Sequence, residues 1–135
     1  MTTSSTPQEA LRVIPLGGLG DIGRNMMLYE IDNQAIAVDC GLMFPDDEHL
    51  GVDIIIPDFS YLREDPSRLQ ALFITHGHAD HIGAAAFLLR EFPVPVFCTK
   101  LTRGLLQVKL RDHNLQDKVE VRVVEPGQTI NIGPF

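Results

Sequence analysis

Apolar and polar positions alternate along the chain in short bursts, and the bursts predict a mixed α/β fold. Residues 11–16 form a brief apolar run, read as a strand, that closes on Gly17-Gly18-Leu19-Gly20. Residues 25–31 and 34–39 predict two strands joined at Asp32-Asn33, a turn-forming dipeptide. A long acidic loop over 40–58 follows, punctuated by Pro45, Gly51 and Pro57, and residues 69–75 predict a buried strand. Helical spacing then sets in over 82–92, with alanine, leucine and phenylalanine on its apolar face and Pro93 as its stop. Residues 94–98 predict another strand. Residues 101–110 predict a helix with Leu101, Leu105, Val108 and Leu110 partly aligned. Residues 119–124 and 129–132, around the Pro126-Gly127 turn, predict a hairpin-like pair. Residues 1–10, rich in Thr and Ser, read as a flexible tail, leaving 11–135 as the structured unit.

With 135 residues, 44% hydrophobic and 21% charged, the chain fits one packed domain or part of a larger one, and not a disordered tail. The chain stops on Phe135, directly after the last expected strand, which reads as a domain cut short. No apolar run approaches the ~20 residues that would span a bilayer, so no membrane role is expected. The first ten residues lack the basic and apolar regions of a secretory signal. Two cysteines, Cys40 and Cys98, are too few for a disulfide scaffold, and a cytoplasmic location is expected. The net charge of −7 argues against nucleic-acid binding by electrostatics alone. That charge is uneven. Residues 21–65 hold eleven acids and two bases, whereas residues 100–122 hold six bases and three acids.

The chemistry concentrates in Thr75-His76-Gly77-His78-Ala79-Asp80-His81, which contains three of the five histidines. At this composition a chance H-x-H-x-D-H is on the order of one in two thousand. Residues two apart at a strand end point the same way, so His76 and His78 can converge on one ion. Gly77 between them lets the backbone approach closely and turn irregularly. Asp80 and His81 fall where the chain has turned and address a second ion. Neutral imidazoles with one carboxylate suit zinc, with manganese or iron as alternatives. Two such ions would bridge and deprotonate a water and clamp both attacking and leaving oxygens. Four side chains do not complete two shells, so further ligands are expected beyond Phe135 or from a partner.

Asp39 ends the apolar strand Ala35-Ile36-Ala37-Val38, where a carboxylate needs a partner. It reads as a support behind a ligand histidine, with capping of the following loop as the plainer alternative. His49 and His113 stand alone in polar sequence and read as surface residues. Gly18-Leu19-Gly20-Asp21-Ile22-Gly23 satisfies the dinucleotide-binding spacing, but only eight residues separate Gly23 from the Asp32-Asn33 turn. A crossover helix needs roughly ten or more, so the glycines read as a tight loop beside the metal site. Asp46, Asp47, Glu48, Asp53 and Asp58 offer oxygen donors for a structural calcium ion, but their spacing does not match an EF-hand and a solvated acidic loop is the favoured reading.

The motif T-H-x-H-x-D-H resembles the signature of the metallo-β-lactamase superfamily. Three longer stretches, PLGGLGDIGRNM (15–26), VDCGLMFPDDEHLGVDIIIPDFSY (38–61) and VPVFCTKLTRG (94–104), resemble the bacterial ribonuclease J family, and the likeness runs from residue 11 to 135. The resemblance implies the first half of a four-layer αββα fold, with the family's β-CASP and C-terminal domains absent from this chain. It also implies a metal-dependent ribonuclease, a 5′-to-3′ exonuclease with endonuclease activity, acting in mRNA decay and rRNA maturation. By position His76 and His78 would bind one zinc, Asp80 and His81 the other, with Asp39 in a supporting motif. A metal-bridged hydroxide would attack the phosphodiester while Asp80 orients or deprotonates it. The implied partners are RNA, the remaining domains of the same protein and, at full length, further copies of it. The basic groove for RNA is expected to come mostly from the missing domains, with Lys100, Arg103, Lys109 and Arg111 as minor contributors at most. A thioester-type hydrolase of the same fold, and a segment inert until completed, are the competing readings.

Overall fold

The computed structural model describes residues 10–135, so the expected tail lies, but for Ala10, outside the described residues. Its centre is one six-stranded sheet in the order β1 to β6. Strands β1 (Arg12–Gly17), β2 (Met26–Ile31) and β3 (Gln34–Val38) form an antiparallel meander. The β2–β3 turn is the expected one. Asp32 and Asn33 both adopt left-handed φ, +49° and +63°, as a two-residue hairpin loop demands and as these two residue types tolerate.

From β3 onward the pairing is parallel, through β4 (Leu69–Phe73), β5 (Val96–Cys98) and β6 (Val121–Val123). The crossovers carry α1 (Ser60–Glu64) with a 3-10 turn at Pro66–Arg68, then α2 (Ala79–Ile82) and α3 (Ala85–Glu91), then α4 (Lys100–Asp112). Leu28, Ala37, Leu72 and Val96 lie in register across the sheet. They are buried with Leu62 of α1, Leu88 and Leu89 of α3, and Leu106 and Leu110 of α4. The opposite sheet face carries Met27, Val38 and Phe73 in register, with Phe73 stacked on Phe97 at 4.9 Å, and is only partly covered. One helical layer on one sheet matches half of an αββα sandwich. Among the described residues no helix is long and apolar enough to cross a membrane.

Four expectations need correction. The helix expected over 82–92 begins at Ala79 and breaks between Ile82 and Ala85. The Ala84 amide leaves the helix to bond the Cys40 carbonyl at 3.0 Å, a partner far away in sequence. The hairpin expected around Pro126-Gly127 keeps its turn but not its second strand. β6 pairs in parallel with β5, while the Ile132 amide and carbonyl bond Phe135 instead. α1, within residues 59–68, was not anticipated; five residues are too few to show a helical period. Finally, α4 packs on the core through Thr102, Leu106 and Leu110, leaving Leu101, Leu105 and Val108 exposed.

Candidate metal centre

Parallel strands present their carboxyl ends to a common edge, and α/β sheets gather ligands there. Asp39 directly follows β3, and Thr75 to His81 follow the neighbouring β4. The Asp39 amide donates to the Phe73 carbonyl at 2.8 Å, which locks the two strand ends together. Its φ of +63° is a left-handed turn that re-aims the carboxylate toward the β4 loop.

Asp39 is buried, and both oxygens are used. Oδ1 accepts the Thr75 amide at 2.8 Å, and the Thr75 hydroxyl lies 2.8 Å from Oδ2 and 3.0 Å from Oδ1. Oδ2 also faces His81 Nδ1 at 2.7 Å. A carboxylate accepts, so His81 Nδ1 must donate and its Nε2 keeps a free lone pair. The Thr75 hydroxyl has one proton, directed to Asp39, and therefore accepts from His76 Nδ1 at 2.9 Å. One buried carboxylate thus sets the tautomer of two imidazoles, one directly and one through a threonine. With Nδ1 so engaged, Nε2 of each ring is the nitrogen left for a metal.

His76, Asp80 and His81 form a group whose ligand atoms all lie within 4.8 Å of one another. His81 Nε2 is 3.5 Å from Asp80 Oδ2, and the His76 and His81 ring centroids are 4.1 Å apart. His78 is more exposed and stays outside that group, with its ring edge-on to His76 at 4.7 Å. His76 thus lies close both to His78 and to the Asp80–His81 pair. Two imidazoles and a carboxylate, supported from behind by a second carboxylate, fit a divalent metal ion.

The backbone behind the centre is laced together. Cys40 N donates to His81 O at 2.8 Å, Leu42 N to Ala79 O at 3.0 Å, and Asn25 N and Nδ2 to Asp80 O at 3.1 and 3.0 Å. A Cβ at Gly41 would lie 1.6 Å from the Asp80 carbonyl oxygen, so only glycine lets this segment pass. At Gly77 the expected close approach is made to α4. Its φ is not left-handed, but a Cβ there would meet Leu105 Cδ1 of α4 at 2.3 Å. Thr75, Asn25 and Gly41 were not singled out as functional from sequence. Thr75 alone carried a usable signal, a hydroxyl directly before the first histidine.

Other candidates fall elsewhere. Cys40, beside Asp39, is wholly buried; burial pushes its thiol far above the ordinary value and the Asp39 carboxylate adds to this, so it is no thiolate donor. His49 pairs with exposed Asp46 at 2.7 Å, and His113 takes a 2.7 Å contact from Arg90 Nη2 and rests edge-on to Phe87. The acidic-loop residues proposed for calcium form no group of three among the described residues. Asp46 caps the Glu48 amide and Asp58 the Ser60 amide. The glycine loop after β1 runs straight into antiparallel β2 with no crossover helix, which removes the dinucleotide reading.

The profile of the Metallo-beta-lactamase superfamily matches residues 19–133. Over 122 residues the chain is 45% identical to "Ribonuclease J2" of Bacillus subtilis (strain 168), covering 90% of this chain and 22% of that protein. Over 124 residues it is 44% identical to "Ribonuclease J 2" of Staphylococcus aureus (strain NCTC 8325 / PS 47), covering 92% and 22%. The chain therefore spans 22% of the length of these curated relatives. Among solved structures it superposes on Zn(2+)-bound PqqB from Methylobacterium extorquens, with a TM-score of 0.61 and 13% identity over 90% of this chain and 48% of that one. A B3 metallo-beta-lactamase with an active site glutamic acid gives a TM-score of 0.60 and 20% identity, over 90% and 46%. At such identities these two superpositions speak for the fold alone.

Proposed function

The chain belongs to the metallo-beta-lactamase superfamily, as the N-terminal portion of the ribonuclease J family, and from that membership we propose that it builds the metal centre of a metal-dependent ribonuclease. The observation that carries the reading is the fixing of His76 and His81 by Asp39, which leaves both Nε2 atoms free as ligands. His76, Asp80 and His81 would hold a divalent ion, which we take to be zinc, with manganese as the alternative. His78, beside His76, would add a donor toward a second ion.

The bound metal supplies Lewis acidity toward a phosphoryl oxygen and lowers the pKa of water. The chain supplies the rest. Asp39 and Thr75 hold two imidazoles in one tautomer, so the ligand set need not reorganise when substrate arrives. Asp80 is half-exposed in the first turn of α2, and its carboxylate orients the attacking water and accepts its proton. The substrate is RNA, degraded from the 5′ end with endonucleolytic cuts as a second mode, in mRNA decay and rRNA maturation. The activity belongs to the longer protein, in the cytoplasm and in an assembly of several copies. The unpaired, buried Cys40 and Cys98 accord with a reducing compartment.

Elemental analysis and cleavage of a 5′-monophosphorylated RNA by the longer protein test this reading. His76→Ala with Asp80→Ala is expected to remove both metal and cleavage while the fold persists. Wild-type turnover in that double variant would overturn it.

A further inference from the structure

The net charge is −7, and the cations outside α4 are mostly neutralised locally. Arg12, Arg24, Arg63, Arg68 and Arg122 each lie within 4.0 Å of a carboxylate, and Arg90 is held against His113. Among the described residues the cations with no carboxylate within 4.0 Å are Arg90, Lys118 and the four of α4: Lys100, Arg103, Lys109 and Arg111. The four of α4 lack one although Asp112 closes the helix on the side of its exposed apolar residues.

The same helix carries an apolar stripe that the core does not use. Leu101, Leu105 and Val108, at i, i+4 and i+7, are 76%, 45% and 54% exposed. At 100° per residue Lys100 and Arg111 flank the stripe on one side and Lys109 on the other. The stripe also reaches the metal loop, because Leu105 Cδ1 fills the space above Gly77, between His76 and His78.

We propose that this face of α4 guides single-stranded RNA to the metal centre, with unpaired bases packing on Leu101, Leu105 and Val108 and phosphates meeting Lys100, Lys109 and Arg111. The inference rests on the ribonuclease reading and names how that site takes its substrate. Charge complementarity selects a polyanion over a protein segment, which would need acids aligned to three flanking cations. The apolar stripe selects a single strand over a duplex, since an A-form helix turns phosphates and riboses outward and keeps its base faces stacked. From Lys100 to Arg111 the helix offers about 16 Å of this surface.

The test uses the longer, metal-loaded protein. Fluorescence anisotropy with a labelled single-stranded RNA in an Asp80→Asn background reads binding without cleavage, and the wild type is assayed for cleavage in parallel. Lys100→Gln, Lys109→Gln and Arg111→Gln together are expected to weaken binding about tenfold and to lower the salt slope by about 2, at ~0.7 per single-strand phosphate. Leu101→Ser with Val108→Ser is expected to weaken single-strand binding several-fold with the salt slope unchanged and duplex binding unaffected. An unchanged Kd and slope in the triple variant, with wild-type cleavage intact, overturns the inference and leaves the ribonuclease reading standing. A triple variant that binds RNA normally but changes its oligomeric state also overturns it, assigning the face to protein. RNA binding that follows the predicted slopes, without any wild-type cleavage, sinks the ribonuclease reading instead.

Discussion

Asp39 Oδ2 stands 2.7 Å from His81 Nδ1, so a carboxylate at the end of one strand holds a ring from the short helix that follows the next. The neighbouring Thr75 passes the same constraint to His76 at 2.9 Å. Asp39→Asn removes the charge and puts N–H donors where the histidine and threonine donate. It is expected to weaken divalent metal binding about 10–100-fold, the usual penalty for losing such support. Competition with a chromophoric chelator measures this, and an unchanged affinity would show that Asp39 serves the loop only.

The packing of Gly41 on Asp80 makes a prediction about stability. An added methyl would sit 1.6 Å from one backbone atom and 2.1 Å from the next, where no side-chain rotation gives relief. Gly41→Ala is expected to cost about 3 kcal/mol in urea unfolding, as segments 40–42 and 79–81 are forced apart. Metal affinity should fall with it, because Asp80 rides on the displaced strand of hydrogen bonds. A change below about 0.5 kcal/mol would contradict the close approach.

Far from the metal loop, Tyr61 donates to Glu30 Oε2 at 2.6 Å, beside Arg68, which lies 3.0 Å from the other Glu30 oxygen. The hydrogen bond to Glu30 raises the phenol above its ordinary value, with burial and the Glu30 charge adding to the shift. The folded state therefore keeps the proton to higher pH than the unfolded chain does. The stabilisation is complete below about pH 10 and is lost as pH rises through the folded value. Tyr61→Phe is expected to cost about 1 kcal/mol near neutrality and to narrow that gap in the alkaline range. Urea unfolding of both proteins from neutral to alkaline pH checks it; a gap constant with pH would refute the account.

What the sequence revealed of all this follows from how local each cause is. The β2–β3 hairpin was readable because Asp32-Asn33 carries its own turn geometry. The ligand motif was readable because its donors are contiguous, and Asp39 because a carboxylate ending an apolar strand needs a partner. The break before α3 was not, since the Cys40 carbonyl that captures Ala84 N is distant in sequence. The working face of α4 was misassigned because leucines and valine at helical spacing look alike whether core or solvent lies opposite. Only the tertiary fold shows that Thr102, Leu106 and Leu110 face inward. How closely the turn into α2 gathers His76, Asp80 and His81 was not readable from spacing alone.

Gly77 and Leu105 supply a test of whether α4 supports the metal loop. A methyl at residue 77 would lie 2.3 Å from Leu105 Cδ1, so something must shift. The obstacle is the far end of a flexible side chain, however, and not backbone as at Gly41. Gly77→Ala alone is expected to destabilise by about 1–3 kcal/mol, the ordinary range for overpacking. Leu105→Ala alone should cost less than a core truncation, because Leu105 is 45% exposed. Combined, the two should cost less than their sum by about 1 kcal/mol, since the truncated residue vacates the space that the new methyl needs. If chelator competition shows metal affinity following the same cycle, the loop between His76 and His78 is held in place by α4. Strict additivity in both readouts would mean that the contact is incidental to the site.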